Sequence, residues 1–451
     1  MITSLYDTEL KNWFNTFVII FLSLLTGILI VYVNGVVAIG LFVSVMLLLY
    51  LKKIENIFLM WLIFYPLFNV DALSFLSISG HPILTFDRVV IGALFLFVLI
   101  EVAMRRRNLL SMNRLEVAMI LLSVVIIYSI IDNSVDKISG ARVFIDAFLY
   151  PFIIYFLAKN LISDEENFNK FINVLLIVGI YLSLMGIFEY LTGSDILTFR
   201  EGMVERVGWL RIDGPYKDDV AFGVNVSFLF FIALYKFITC NKTSGIINIR
   251  KVFYGLILGL FILAIFFNFY RGIWLALVVG LLAWFVVRKK GIAQLAFFVI
   301  ILAIIIIPSF NKIKSSRFYG ERLTNVATIQ SRLDTFDEVI YLFKKNPVKG
   351  LGFNNFFSQG QHNTFLAFLS ETGILGASIF MILVWFLFYY GFRNYKLSRG
   401  HLTNEFSIIF LCILICYSIT WIGLNTGFSA SINILFFAIT GVSLGIMKNL
   451  D

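Results

Sequence analysis

His362 is one of only three histidines in a chain of 451 residues, and it alone is set among groups that could do chemistry. It stands in Gln361-His362-Asn363-Thr364, ahead of Glu371, Gly373 and Gly376 and after Pro347-Val348-Lys349-Gly350-Leu351-Gly352-Phe353. Imidazole suits proton transfer near neutral pH, which makes His362 a candidate general base. The plainer reading is a polar residue at a membrane boundary. Asn363 and Glu371 are candidate binding or orienting groups on the same segment. The two glycines after Pro347 mark a tight turn, able to approach a ligand or merely to reverse the chain. It is not a phosphate-binding P-loop, because its lysine is misplaced and no Ser or Thr follows. Three arginines complete the set. Arg211 precedes Asp213-Gly214-Pro215-Tyr216, and Arg271 lies in Asn268-Phe269-Tyr270-Arg271-Gly272 between two apolar stretches. Arg332 opens residues 331–345, where Leu333, Phe336, Val339, Ile340 and Phe343 form the apolar stripe of a helix. An arginine near apolar helix ends is costly unless it pairs, snorkels or faces a cavity. Its planar fork matches phosphate oxygens two at a time. Arg142 and Asp146, four residues apart, read as a structural pair.

The elements that must position these residues are membrane spans. The chain is 60% hydrophobic and 14% charged, against about 45–50% and about 25% for a soluble domain. That balance excludes a soluble, disordered, nucleic-acid-binding or disulfide-scaffold protein. Cys240, Cys412 and Cys416 have no zinc-ligand spacing with histidines and read as packing residues. Fourteen apolar stretches approach the roughly 17–25 residues a crossing helix needs: 13–33, 35–51, 55–71, 89–104, 115–132, 143–161, 168–191, 220–240, 253–270, 272–288, 291–308, 373–392, 406–423 and 428–447. The first reads as a span and not a cleavable signal peptide, for it lacks a small-residue cleavage site. Alternation puts the dense basic clusters on one side with both termini: Lys52-Lys53, Arg105-Arg106-Arg107, Arg250-Lys251, Arg288-Lys289-Lys290 and Arg393/Lys396/Arg399. That side is expected to be the cytoplasm. Part of the +9 net charge therefore sets orientation. The rest faces out, mostly in loops 192–219 and 309–361; the larger loop carries eight Lys/Arg against four Asp/Glu. An outward basic loop suggests a use for positive charge, such as binding phosphate. The expected architecture is a single all-α polytopic domain over 1–451, with about fourteen spans and two extended outer loops containing short helices. Residues 192–219 carry Arg211, and residues 309–372 carry Arg332 and His362. No internal repeat or appended soluble domain is visible.

The order of these motifs resembles the bacterial O-antigen ligase and Wzy-type polymerase superfamily. His362-Asn363, nine residues, Gly373, two residues and Gly376 is similar to its signature. Arg332 and the Pro347 to Phe353 turn are similar to its large periplasmic loop. Tyr270-Arg271-Gly272 resembles its Ser-Arg-Gly segment with Tyr in place of Ser, and Arg211 with Gly214-Pro215 resembles its upstream loop arginine. The motifs cover roughly residues 205–380. The first 190 residues match only in being a series of spans.

The resemblance implies a GT-C-like glycosyltransferase of the bacterial inner membrane, working on the outer face. It implies an undecaprenyl-diphosphate-linked oligosaccharide as donor and a saccharide acceptor. Inversion at the anomeric carbon without metal or other cofactor is also implied. His362, Arg332 and Arg211 would be catalytic; Arg271, Asn363, Tyr270 and Glu371 would bind substrate. The favoured activity is polymerisation of O-antigen or similar repeat units, since fourteen spans lean that way, with a chain-length regulator as a possible partner. The alternatives are a ligase that passes the glycan to lipid A-core, and a flippase for lipid-linked sugars.

Overall fold

Polar side chains just ahead of apolar stretches start the helices. Asn113 accepts from the Glu116 amide while Glu116 accepts from the Asn113 amide, a reciprocal capping box. Asp136, Asp164, Asp218 and Asn363 cap four other helices by accepting amide bonds in the first turn. The computed structural model describes residues 53–67, 74–78, 81–194, 204–206, 209–240, 249–288, 327–355, 363–398 and 403–447. The expected spans 13–33, 35–51 and 291–308 lie outside the described residues.

In chain order the helices are α1 Ile54–Phe64, α2 Phe86–Ala103, α3 Arg114–Asn133, α4 Lys137–Phe144, α5 Tyr150–Leu161, α6 Glu165–Thr192 and α7 Asp219–Thr239. They continue as α8 Ile249–Phe267, α9 Arg271–Arg288, α10 Ala327–Lys345, α11 Thr364–Leu397, α12 Asn404–Gly423 and α13 Ala430–Met447. A π-helical turn, Ile145–Leu149, joins α4 to α5 in one continuous rod. Among the described residues eight helices are long and apolar enough to cross a membrane, which makes the chain an α-helical integral membrane protein. The helix over 331–345 is present and begins earlier, at Ala327.

Two short antiparallel hairpins depart from the all-α expectation. Strands β1 Ser74–Ile78 and β2 His81–Thr85 form one. Strands β3 Val204–Arg206 and β4 Trp209–Arg211 form the other, inside the loop that carries Arg211. Hydropathy reads helices of membrane length and is blind to ribbons of three to five residues in a loop.

Helix α7 is the centre of the bundle. Every residue from Ala221 to Tyr235 is buried, including Phe222, Phe228, Phe230 and Phe231. A helix apolar on all faces belongs inside other helices. Helices α6, α8 and α12 pack on it, α13 runs along α5, and α11 lies against α3 and α12. Small residues permit the close approaches: a side chain at Gly179 would overlap Phe261, and one at Gly280 would overlap Phe231.

The helix ends pair in two sets. Arg107 bonds Glu55 and Glu101, Lys159 bonds Glu116, and Arg288 bonds Glu405, all at the end that carries the basic clusters. At the opposite end Arg88 pairs with Asp146, Lys349 with Asp132 and Arg211 with Asp219. This is the alternation the sequence requires for the described spans. Arg142 also reaches Asp146, at 3.8 Å, while Arg88 holds it more tightly, with its Nε at 3.0 Å. The pairing expected from helix spacing is thus the weaker of two.

Candidate active site

Three assemblies at this second end position the candidate residues. The first is the glycine turn. Gly373 interrupts α11 with φ 62° and ψ −163°, a conformation open essentially only to glycine. An unbroken helix would join the Ser370 carbonyl to the Ile374 amide. Here each bonds the turn instead: Leu351 N donates to Ser370 O at 2.8 Å, and Ile374 N donates to Pro347 O at 2.9 Å. Gly352 N adds a bond to Glu371 O at 3.0 Å. A methyl group at Gly373 would collide with the Val348 carbonyl and sit 2.7 Å from the Gly350 nitrogen.

Glu371 is fully buried, and its Oε2 accepts from the Asn354 amide at 3.0 Å, holding that residue at φ 67°. The turn is tied to α3 and α4 as well. Phe353 N donates to Ser129 Oγ, Ser134 donates to the Phe353 carbonyl, and Asn354 Nδ2 donates to Ser139 Oγ at 2.9 Å. Lys349 Nζ bonds Asp132 at 2.9 Å, which pushes the lysine pKa up.

The second assembly holds Arg211. The guanidinium is buried, bonds Asp219 Oδ2 at 2.7 Å and lies 5.0 Å from the Tyr270 ring centroid. The fork is thus oriented by a carboxylate on one side and an aromatic face on another. Asn268, also buried, bonds the Ile212 and Asp219 carbonyls at 3.0 and 2.7 Å, joining the α8–α9 corner to the Arg211 loop. Glu189, buried near the end of α6, accepts from the Asp213 and Gly214 amides at 3.4 and 2.9 Å. Burial pushes the Tyr216 hydroxyl up, so it stays a neutral hydrogen-bonding group. Arg271 is exposed as the first residue of α9 and follows Phe269, held at φ 52°. A bulky residue at positive φ is strained, and a cation at a helix N-terminus opposes the macrodipole. An anion at that position would relieve the second cost.

The third assembly starts α11. Asn363 accepts from the Phe365 and Leu366 amides and donates to Ile422 O at 3.0 Å. Thr364 Oγ1 donates to Leu424 O and accepts from Gly427 N at 3.1 Å. Leu424 in turn lies 3.9 Å from the side-chain position of Gly272, next to Arg271. Tyr270, Arg211 and Asn363 are therefore brought to one neighbourhood. Glu371 lies about 12 Å along α11 from Asn363 by helical rise, engaged with the turn. Arg332 is placed on α10 by its backbone; its side chain and all of His362 lie outside the described residues.

Sequence reading passed over Glu189, Asp219, Asn268 and Thr364. Glu189 carries a signal, an acid within an apolar span, which defaults to a functional hypothesis. Asp219 looks like a second capping residue beside Asp218. Asn268 and Thr364 give no signal before the fold is known. Glu189→Ala strands two buried amides, at about 1–3 kcal/mol each. The thermal midpoint of the detergent-solubilised protein should fall, with Glu189→Gln recovering part of the loss. An unchanged midpoint for the alanine variant would remove Glu189 from the support of the Arg211 loop.

Residues 256–381 match the family model described as O-Antigen ligase. The matched segment contains Tyr270-Arg271, α10, the glycine turn and the interrupted start of α11. It supports a place in the O-antigen ligase/polymerase superfamily, and with it a polysaccharide-directed function of the glycosyltransferase type. No curated protein matches the chain.

Proposed function

We propose that this protein is a metal-independent, inverting glycosyltransferase. It takes a glycan from an undecaprenyl-diphosphate carrier on the outer face of the inner membrane and joins it to a saccharide acceptor. The observation that carries the reading is the O-Antigen ligase match across 256–381, which covers the arginine segment and the glycine turn together. An acceptor hydroxyl attacks the anomeric carbon while the bond from that carbon to the diphosphate oxygen breaks. His362 takes the hydroxyl proton. The departing diphosphate gains charge as the bond breaks, and Arg211, Arg271 and Arg332 stabilise it. Asp219 and Tyr270 hold the Arg211 fork in a fixed orientation, which removes reorganisation cost from the step. Asn363 and Tyr270 line the approach, and Glu371 fixes the turn beneath it. The fourteen-span arrangement expected from the sequence, with both termini in the cytoplasm, would put the whole site outside.

Polymerisation of repeat units is the first reading of the acceptor, and the fourteen spans expected from the sequence lean that way. Ligation to lipid A-core is the second, favoured by the description of the matched family. Purified protein given one lipid-linked repeat unit, with and without a core acceptor, separates them. Longer chains on the lipid carrier mean polymerase, and transfer confined to the core means ligase.

Arg211→Lys and Arg271→Lys should each lower kcat/KM for the donor at least tenfold, because lysine lacks the fork. Full activity in both would contradict the bidentate role. Activity is expected to survive EDTA; loss restored by Mg²⁺ would overturn the metal-free reading.

A further inference from the structure

A second polar cluster lies at the same end of the bundle, outside the arginine site. Asp87 and Arg88 stand in the first turn of α2. The Trp61 indole N–H donates to Asp87 Oδ1 at 3.2 Å, and Arg88 bonds Asp146. Asp146 sits in the π-helical turn, a kind of distortion that recurs at functional sites. One step along, the Tyr150 hydroxyl is buried, has no hydrogen-bond partner among the described residues, and lies within electrostatic reach of Asp87, Arg88 and Asp146. A buried hydroxyl without a partner is uncommon and calls for a physical explanation.

The cluster differs in charge from the diphosphate site. Here the guanidinium groups are engaged by a carboxylate, Arg88 and Arg142 both reaching Asp146, and burial pushes Asp87 up to about 7. The cluster offers carboxylate acceptors, guanidinium and indole donors and a phenol that can do either, which is the complement of a neutral, hydroxyl-rich ligand. It also abuts the first site. Phe148, in the π-helical turn, contacts the rings of Phe353, Phe368 and Phe428 at 6.0, 5.7 and 5.5 Å. Those rings belong to the glycine turn, to α11 and to the segment that seats Thr364. Trp61, Tyr65 and Tyr216 form a run of aromatic contacts from Asp87 toward the Arg211 loop.

We propose that Asp87, Arg88, Asp146 and Tyr150 form a saccharide subsite that holds the sugar end of the acceptor. The assignment to the acceptor rests on the glycosyltransferase reading; the binding of sugar does not.

The test uses the full-length protein in nanodiscs and the lipid-free oligosaccharide released by mild acid from its lipid-linked donor. Tryptophan fluorescence reports binding, with Trp61→Phe identifying the Trp61 contribution. Saturable binding by the wild type should weaken about tenfold in Tyr150→Phe and in Asp87→Asn, the scale of one lost hydrogen bond at a charged or buried site. In turnover assays the acceptor KM should rise by a similar factor while the donor KM stays within twofold. Tyr150→Phe removes an oxygen that bonds nothing in the described structure, so it decides the matter even if Asp87→Asn does not fold. Absence of saturable binding by the wild type, or variants that bind within twofold of it, would overturn the subsite. Binding as expected with no bond formation would uphold the subsite and reject the transferase reading.

Discussion

His362→Ala is expected to all but abolish glycan transfer, lowering the rate by about 10²–10⁴-fold, while the protein should still insert and still bind the lipid-linked donor. A sugar hydroxyl is a weak nucleophile at neutral pH, and a base that accepts its proton in the transition state supplies an effect of this size. Three arginines can stabilise the leaving diphosphate, but none can serve as the base, since guanidinium stays protonated. Asn363, the next residue in sequence, is pinned by bonds to the Phe365 and Leu366 amides and to the Ile422 carbonyl. The measurement is single-turnover transfer from purified lipid-linked donor, with donor binding followed in parallel. Transfer at the wild-type rate would remove the histidine from the mechanism.

Gly373→Ala should disable the protein by a different route. Two costs add: a backbone conformation that alanine cannot adopt without strain, and the collision of its methyl group with the Val348 carbonyl. Together they amount to about 2–6 kcal/mol. The alternative for the chain is to close the helix through 370–374. That would break the bonds from Leu351, Gly352 and Ile374 that dock the turn. The expected result is a lower thermal midpoint, faster proteolysis within 346–355 and loss of transfer. Gly259→Ala is the control, because nothing lies within 4 Å of its side-chain position. If the two variants behaved alike, the interlocking of turn and helix would be wrong.

Much of this was legible from residue types and spacing. Apolar stretches placed most of the described helices to within a few residues, but α11 begins nine residues before the expected 373 and the rod expected from 143 begins at Lys137. Of the eleven expected spans that fall on described residues, eight are long and apolar enough to cross a membrane. Basic clusters set an alternation that the ion pairs at the helix ends follow. The motif Pro347 to Phe353 and the pair Gly373, Gly376 were visible as motifs, but their meaning was not. Only the fold shows that Gly373 opens α11 so that the turn can take over its backbone bonds. Arg211 illustrates the other limit. Sequence gives an arginine before a Gly-Pro turn; its partners Asp219 and Tyr270 are 8 and 59 positions away in numbering, and only the Tyr270 segment stood out. Glu189 was read as part of a span because one acid does not disturb the hydropathy of a helix of 28 residues. The Asp87, Asp146 and Tyr150 cluster was hidden because Asp87 lies on a different helix from the other two, and spacing alone assigned Asp146 to Arg142.

The central claim is that the chain makes glycosidic bonds and does not merely move lipid-linked sugar. Purified protein reconstituted in liposomes with undecaprenyl-diphosphate-linked donor tests it directly, by assaying bond formation and carrier release together. New glycosidic bonds matched by released undecaprenyl diphosphate are the predicted result. Intact donor crossing the bilayer with no bond formed would contradict the account.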